Sequence, residues 1–246
     1  MVTMEYAVDI VVPVYNEPEY FEVLYQYLTT HVQSKWRIFL VYDFAEDTTL
    51  SVAQPIAEKD SRIILTLNPK RGALNAIKTG FTRAECDAVL VLPIDEQSVF
   101  EKIDELVRIF YEQHATIVVA SRYMKGGKNV GSPPFKRMLS RLAGISLHWL
   151  IGIPIHDPTL NSRLYKKSFL DSIIIESTKG FEVALEITIK AYLAGGKLLE
   201  IPLHWVDDRA FGVSRFKLFK WLPSYFHWYW YGIKNYWLSK FSLKKS

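Results

Sequence analysis

The sequence predicts an α/β protein with a mostly parallel central sheet and helices on both faces. Short apolar runs rich in β-branched residues alternate with segments whose apolar residues recur at helical spacing. Acidic and amide residues directly follow several of those runs, as at the carboxyl ends of parallel strands. With 246 residues and a hydrophobic fraction of 49%, the chain is long enough for one large domain with a sizeable core.

The predicted strands are short, apolar and bounded by polar or turn-forming residues. They are residues 8–14, 37–42, 63–67, 88–92, 116–120, 163–165 and 198–205.

The predicted helices separate these strands, and Ser98 with Glu101 fits a capping box at the start of the fourth helix. Residues 126–134, which hold Gly, Asn, Ser and Pro, are expected to form a mobile loop. The predicted helices are residues 18–33, 48–59, 72–84, 100–110, 135–150 and 181–193.

The bulk composition excludes several classes of protein. The net charge is only +4, and no dense Lys/Arg stripe appears before the C-terminus, so a nucleic-acid partner is not expected. A single cysteine, Cys86, allows no internal disulfide and fits a reducing compartment. The first residues do not resemble a signal peptide, and no run reaches the roughly 18 apolar residues of a membrane span. A cytoplasmic protein is therefore expected.

The end of the chain differs in composition from the rest, which suggests a division into residues 1–217 and a tail of residues 218–246. The tail is rich in Trp and Tyr, with lysines around them. Trp and Tyr favour the headgroup boundary of a membrane, and Lys favours anionic lipid. We therefore expect an aromatic amphipathic helix lying on a membrane surface. The alternative is that the aromatic residues pack on the rest of the chain or across a dimer.

A set of short motifs occurs in a fixed order along the chain. Together they resemble family-2 glycosyltransferases of the GT-A fold, most closely the dolichyl-phosphate mannose synthase and polyprenyl-phosphate glucosyltransferase branch. The resemblance covers about residues 7–217. The motifs are Val12-Pro13-Val14-Tyr15-Asn16-Glu17, Asn68-Pro69-Lys70-Arg71-Gly72-Ala73, Ser121-Arg122-Tyr123, Gly126-Gly127, Asp157-Pro158-Thr159 with Arg163, Gly180-Phe181 with Glu186, and Asp208-Arg209 with Gly212 and Ser214.

The resemblance implies inverting transfer of a hexose from a nucleotide-sugar donor to a lipid-linked phosphate, with Mg²⁺ or Mn²⁺ as cofactor. The resemblance also implies that the enzyme acts at a membrane surface, on the cytosolic face. Further possible partners are a membrane protein or a second copy of the chain. The donor would be held by Pro13, Tyr15, Glu17, Asp43, Lys70, Gly72, Arg122, Ser214 and Arg215. Asp95, Asp157 and Arg209 would be catalytic, and Arg137, Arg163 and Glu186 would serve the acceptor.

The metal motif departs from the family pattern. Relatives usually carry Asp-x-Asp followed by Gln, whereas this chain reads Pro93-Ile94-Asp95-Glu96-Gln97. Asp95 and Gln97 are the predicted metal ligands, and Glu96 is a substitute if the loop shifts. A solvated strand end before a helix cap is the alternative interpretation. Relatives also tend to have Gly-Phe-Arg where this chain has Asn161-Ser162-Arg163.

Several of these residues also have plain structural interpretations. Asp47 is expected to cap the helix that begins near Thr48, and Lys70 fits a solvated turn equally well. Arg137 and Glu186 fit solvated helix faces, and Arg163 could pair with Asp157.

The acceptor decides whether a base is needed. A hydroxyl acceptor on a glycan or glycolipid requires one, and Asp157 is the candidate by position. A phosphate acceptor, whose second pKa is about 6, requires none. The loss of an acidic residue at Pro93 leaves a third hypothesis, a degenerate, non-catalytic paralogue that binds nucleotide-sugar.

Overall fold

A computed structural model describes residues 6–206 and 218–243. Its main feature is a seven-stranded sheet in the order β3-β2-β1-β4-β7-β5-β8, and β6 pairs with β9 in a second small sheet. The strands are β1 Ala7–Pro13, β2 Lys35–Tyr42, β3 Ile63–Leu67, β4 Ala88–Val91, β5 Ile117–Ser121, β6 Lys128–Val130, β7 Arg163–Lys166, β8 Leu198–Pro202 and β9 His204–Val206.

The helices lie between these strands, and a 3-10 helix, Gln97–Lys102, precedes the fourth. They are α1 Pro18–His31, α2 Leu50–Ala57, α3 Ala73–Arg83, α4 Ile103–Glu112, α5 Pro134–Ile151, α6 Lys167–Ser172, α7 Val183–Leu193 and α8 Leu218–Leu243.

The order of the strands creates a crevice beside β1. The chain runs from β1 through β2 to β3 at one edge and then returns to place β4 on the other side of β1, all in parallel. Only β7 is antiparallel to its neighbours β4 and β5 in the large sheet. In open α/β sheets, ligands bind where the strand order reverses, outside the carboxyl ends of the strands. The loops after β1 and β4 are therefore the expected location of a site.

The two faces of the sheet bury separate apolar clusters. In β1, Ile10 and Val12 pack with α1 and α4 on one face, whereas Val11 packs with α3 on the other. A Cβ on Gly80 of α3 would overlap the Val11 side chain, so this helix approaches the strand closely. Full burial of each such side chain contributes about 2 kcal/mol to the stability of the fold.

The structure corrects parts of the predicted element order. The loop expected at residues 126–134 contains β6, which pairs with β9. The strand predicted at residues 198–205 is two strands, β8 and β9, and α6 was not predicted. The capping box is wrong, because Ser98 lies inside the 3-10 helix and its hydroxyl accepts the Val206 N–H at 3.1 Å.

The C-terminal tail forms a helix, as predicted, and one face of that helix packs on the rest of the chain. Trp228 of α8 is buried against the α3–α7 side of the sheet, and Gly232 approaches Ile189 of α7. Trp230 and Phe241 are exposed on the same helix. Within the described part of the chain, no helix is long and apolar enough to cross a bilayer.

Candidate active site

The loop after β1 carries three of the predicted donor residues. Pro13 ends the strand, and the Tyr15 side chain beyond it is 46% exposed. The Tyr15 ring meets the Phe44 ring edge to face at 5.4 Å, which joins the loops after β1 and β2. The Tyr15 N–H donates to the Glu17 carboxylate at 3.2 Å.

Asp43 connects the loop after β2 to the turn between β3 and α3. One carboxylate oxygen accepts the Asn68 side-chain N–H at 2.7 Å, and the other accepts the Gly72 N–H at 2.8 Å. Gly72 has φ +106°, which favours glycine, and a Cβ there would meet no atom within 4 Å. Backbone conformation, not space, therefore accounts for this glycine. Lys70 is exposed on the same turn.

The helix-capping role predicted for Asp47 holds in the turn that leads into α2. The Asp47 carbonyl oxygen accepts the Leu50 N–H at 3.0 Å, and its carboxylate accepts the Thr49 N–H at 2.9 Å. Thr49 itself, directly before α2, makes no side-chain cap bond. The same carboxylate oxygen also accepts the Asn16 N–H, from the loop after β1, at 3.0 Å. Asp47 therefore joins two loops.

The loop after β4 presents acidic and amide oxygens. Asp95 is exposed, and Gln97 begins the 3-10 helix. The Glu96 carboxylate accepts a hydrogen bond from the hydroxyl of buried Ser162. Burial, followed by the charge of Asp95, raises the pKa of Glu96 to about 7. No group of three His, Cys, Asp or Glu residues that could hold a metal occurs among residues 6–206 and 218–243.

Asp157 lies fully buried in an ion pair with Arg122. The guanidinium donates to the two carboxylate oxygens at 2.7 and 3.0 Å, and the Arg122 N–H donates to the same carboxylate at 3.2 Å. Burial alone would raise the pKa of Asp157, but the charge and hydrogen bonds of Arg122 outweigh it and hold the pKa below its ordinary value. The geometry gives Asp157 the task of orienting Arg122.

Two predicted acceptor residues lie in the interior. Arg163 is fully buried and donates to the carbonyl oxygens of Leu160 and Asp157 and, at 2.5 Å, to the Thr188 hydroxyl. Arg163 thus pairs with Asp157 through the Asp157 carbonyl oxygen, at 3.2 Å, whereas the carboxylate of Asp157 is held by Arg122.

Glu186 is also fully buried, so the solvated helix charge proposed for it is wrong. Its carboxylate accepts the N–H groups of Glu176 and Ser177 at 2.6 and 2.8 Å and the Lys190 ammonium at 2.7 Å. These bonds anchor the segment before α7. In this geometry neither Arg163 nor Glu186 faces an open surface.

Arg137 lies instead in an exposed groove along α5, with a volume of about 570 Å³. The groove combines two arginines one helical turn apart with apolar and amide side chains. Its lining includes Tyr123, Asn129, Arg137, Met138, Arg141 and Leu142. Tyr123 directly follows Arg122, and the charges of Arg122 and Lys136 both act on the pKa of Glu96. The groove therefore includes the residue that directly follows Arg122.

Sequence reasoning missed Arg141, Phe44 and Asn68 as side chains of the site. The i, i+4 spacing from Arg137 would have indicated Arg141, and the rule of polar strand ends would have indicated Asn68, which directly follows β3. The predicted residues Arg209, Ser214 and Arg215 lie outside the described residues.

Comparison with known proteins gives consistent results. The dolichol-phosphate mannosyltransferase of Pyrococcus furiosus is 28% identical over 215 residues, which are 85% of this chain and 59% of that protein. The polyprenol monophosphomannose synthase of Mycolicibacterium smegmatis is 26% identical over 214 residues, which are 84% of this chain and 79% of that protein. The chain thus spans less than two thirds of the first relative's length.

A solved structure shares the fold. Glucosyl-3-phosphoglycerate synthase from Mycobacterium tuberculosis, crystallised with Mn²⁺, UDP and phosphoglyceric acid, gives a TM-score of 0.64 at 16% identity. The match covers 89% of this chain and 74% of that one. The GT-A architecture implied by the motifs is therefore confirmed.

The family is established by a direct match. A model described as Glycosyl transferase family 2 matches residues 9–174, which is more than half of the 246 residues. The chain belongs to glycosyl transferase family 2.

Proposed function

We propose that the protein transfers a hexose, with inversion, from a nucleotide-sugar to polyprenyl phosphate or a related lipid phosphate. The observation that carries this proposal is the groove on α5, where Arg137 and Arg141 lie beside Met138 and Leu142. Paired guanidinium groups suit a phosphate, and the apolar side chains suit an isoprenoid chain. The two curated relatives are named for transfer of mannose to dolichol phosphate and synthesis of polyprenol monophosphomannose.

The donor binds in the crevice beside β1. Tyr15 and Asp43 contact the nucleoside, and the carboxylate oxygens of Asp43 are already oriented by Asn68 and Gly72. The remaining donor contacts come from Pro13, Glu17, Lys70, Gly72, Arg122, Ser214 and Arg215. Because the backbone N–H groups at a helix N-terminus attract anions, the turn before α3 suits the diphosphate.

The residues after β4 fit a divalent cation that the donor also coordinates. Mg²⁺ in phosphate-transfer sites is bound through one or two carboxylates together with substrate phosphates and water. The exposed Asp95 carboxylate and the Gln97 amide oxygen are suitable hard ligands on one short loop. A bound Mg²⁺ or Mn²⁺ would stabilise the charge of the leaving diphosphate.

The chemistry with a phosphate acceptor needs no base. An acceptor oxygen forms the new bond to the anomeric carbon while the bond from that carbon to the diphosphate breaks, and the nucleoside diphosphate departs. Since the second pKa of a phosphate monoester is about 6, the acceptor is already ionised at neutral pH. Arg137 and Arg141 hold the acceptor, Asp157 fixes Arg122, and Arg209 adds positive charge near the leaving group.

A hydroxyl acceptor is the weaker alternative. Its base would be Asp157, whose carboxylate is buried and bound by Arg122. The lowered pKa of Asp157 makes it a poor proton acceptor. The phosphate acceptor therefore agrees better with the geometry.

The protein works as a peripheral enzyme on the cytosolic face of a membrane. Neither α5 nor α8 contains an acidic residue, and the two helices pack together. Both expose large apolar side chains, including Trp149 at 82% and Trp230 at 61%. Basic helices with exposed aromatic residues bind the headgroup region of anionic membranes. This surface would hold the α5 groove close to a lipid acceptor.

The test is transfer from labelled GDP- and UDP-hexoses to polyprenyl phosphate with Mg²⁺ or Mn²⁺. Arg141→Ala should raise KM for the lipid phosphate about tenfold, the effect of losing one charge-assisted hydrogen bond. Arg108→Ala, which removes an exposed arginine on α4, is the control and should leave KM unchanged. Nucleotide binding without any transfer would overturn the proposal in favour of a non-catalytic paralogue.

A further inference from the structure

The loops after β1 and β2 are joined by reciprocal hydrogen bonds. The Asn16 N–H donates to the Asp47 carboxylate at 3.0 Å, and the Asn16 side-chain oxygen accepts the Thr48 N–H at 3.0 Å. The Glu17 N–H donates to the Thr49 hydroxyl at 2.9 Å. We name this set, formed by Asn16, Glu17, Asp47, Thr48 and Thr49, the loop clasp.

The clasp holds a backbone conformation that costs energy. Asn16 has φ +56°, a left-handed conformation that non-glycine residues rarely adopt. Such a conformation costs on the order of 1 kcal/mol and persists only where surrounding contacts impose it. The residue held in this conformation, Asn16, lies between Tyr15 and Glu17, and the side chains of those two residues are assigned to the donor.

The Asp47 carboxylate carries a second energetic cost. The Asp47 side chain is 2% exposed, and one of its carboxylate oxygens, Oδ2, has no hydrogen-bond partner within the described part of the chain. A buried carboxylate with an unsatisfied oxygen is unfavourable, and such groups are uncommon in folded proteins. The other oxygen, Oδ1, accepts the N–H groups of both Asn16 and Thr49. The bond to Thr49 lies within the loop after β2, whereas the bond to Asn16 joins the loops after β1 and β2.

We propose that Asp47 is a positioning residue for the nucleotide donor, an inference that rests on the proposed function. By fixing Asn16, it sets Tyr15 and Glu17 against the loop that carries Asp43 and Phe44. The edge-to-face contact of Tyr15 and Phe44 at 5.4 Å is the product of that arrangement. Because the two loops are already ordered before the donor arrives, binding avoids the entropic cost of ordering them. The donor therefore binds more tightly.

The experiment compares two substitutions of Asp47 with a control. Asp47→Ala removes the acceptor, whereas Asp47→Asn keeps an oxygen that can accept both N–H groups. Glu46→Ala removes an exposed carboxylate from the same loop. Calorimetry with GDP and UDP should give about a tenfold higher Kd for Asp47→Ala, as expected for the loss of one to two hydrogen bonds. Asp47→Asn and Glu46→Ala should match the wild type, and kcat at saturating donor should change little.

Two outcomes would overturn the proposal. An unchanged Kd in Asp47→Ala would show that the loop clasp does not shape the donor site. A Kd for Asp47→Asn as high as that for Asp47→Ala would show that the charge of Asp47, not its position, matters. If Asp47→Ala fails to fold, Thr49→Val tests the same idea, since it removes only the acceptor for the Glu17 N–H and should raise Kd by a smaller factor.

Hydrogen exchange separates this inference from the proposed function. Asp47→Ala should accelerate exchange at the amides of Asn16 and Glu17 whether or not any nucleotide binds. Absence of GDP and UDP binding in the wild type would overturn the donor role together with the proposed function. If GDP or UDP binds and Asp47→Ala raises the Kd as expected, but no sugar is transferred, only the proposed function is overturned.

Discussion

The ion pair of Arg122 and Asp157 makes a prediction at the scale of single residues. Breaking a buried pair leaves an uncompensated charge, which costs about 3 kcal/mol. Asp157→Asn should therefore lower the free energy of unfolding by about that amount in urea denaturation. Glu46→Gln, at an exposed carboxylate, should leave stability unchanged. Equal stability of Asp157→Asn and wild type would show that Arg122 finds another partner.

This expectation limits what the same substitution says about mechanism. Loss of transfer in Asp157→Asn would follow from a misplaced Arg122 as readily as from a missing base. Whether the acceptor is a phosphate or a hydroxyl is better tested by assaying both kinds of acceptor than by assaying this variant. Arg141→Ala leaves the buried ion pair of Arg122 and Asp157 intact. Its effect on transfer therefore reports on the acceptor site more directly.

Glu96 gives the stability of the fold a pH dependence. Because burial and Asp95 raise its pKa from 4.5 to about 7, the folded state holds a proton in this interval that the unfolded state has released. The stabilisation is complete below pH 4.5 and is lost as the pH rises through about 7. Glu96→Gln, which cannot ionise, should therefore be more stable than wild type at pH 8 by about 3 kcal/mol, and this advantage should vanish at low pH.

Thermal unfolding in buffer with a chelator, from pH 4 to pH 8, measures this difference. Glu101→Gln, at an exposed glutamate on the same 3-10 helix, should show no pH-dependent gain. An advantage of Glu96→Gln that grows as the pH falls would contradict the raised pKa.

At the scale of elements, α5 is fixed to the segment that carries Asp157. Gly144 of α5 lies so close to this segment that a Cβ would overlap the carbonyl group of His156. Gly144→Ala should therefore destabilise the protein by about 2 kcal/mol through overpacking, although alanine favours helix. Ser146→Ala, in the same helix, should have little effect or a small stabilising one. Differential scanning calorimetry measures both, and a stabilised Gly144→Ala would show that α5 can move away.

The elements that sequence reasoning identified are those with a strong local pattern. The strands β1 to β5 were predicted because each contains a short apolar run, most of which is buried. The short strand β6 was missed because Lys128–Val130 carries no apolar pattern and exists only through pairing with β9. The capping box failed because the Ser98 hydroxyl bonds to a residue 108 positions away. Local chemistry does not encode such long-range partners.

The residues of the candidate site also divide into those that a local sequence pattern indicates and those whose role depends on distant elements. The rule that polar residues follow parallel strands located Asp43 and Asp95, because it depends only on strand ends. Arg163 and Glu186 could not be judged from sequence, since whether a charged side chain is buried depends on packing between distant elements. Their partners are mostly backbone groups of neighbouring loops, which no residue pattern reveals.

For the whole molecule, the exposed faces of α5 and α8 should decide where the protein resides. Their basic and aromatic side chains predict flotation with vesicles that contain anionic phosphatidylglycerol, and weaker flotation with neutral phosphatidylcholine vesicles. Substituting Trp230 and Trp237 with Ser removes two exposed aromatic anchors and should reduce the bound fraction at least about tenfold. Leu67→Ser, at an exposed apolar residue on β3, is the control and should float like wild type.

The competing occupant of this surface is a second copy of the chain, and it predicts a different result. Sedimentation would then show a dimer without lipid, and the double Trp230 and Trp237 variant would be a monomer. Flotation that is independent of lipid charge and of both tryptophans would contradict membrane docking through α8. Because anionic headgroups attract lysines only within about 10 Å at moderate salt, raising the salt concentration should weaken wild-type flotation and leave a dimer held by apolar contacts intact.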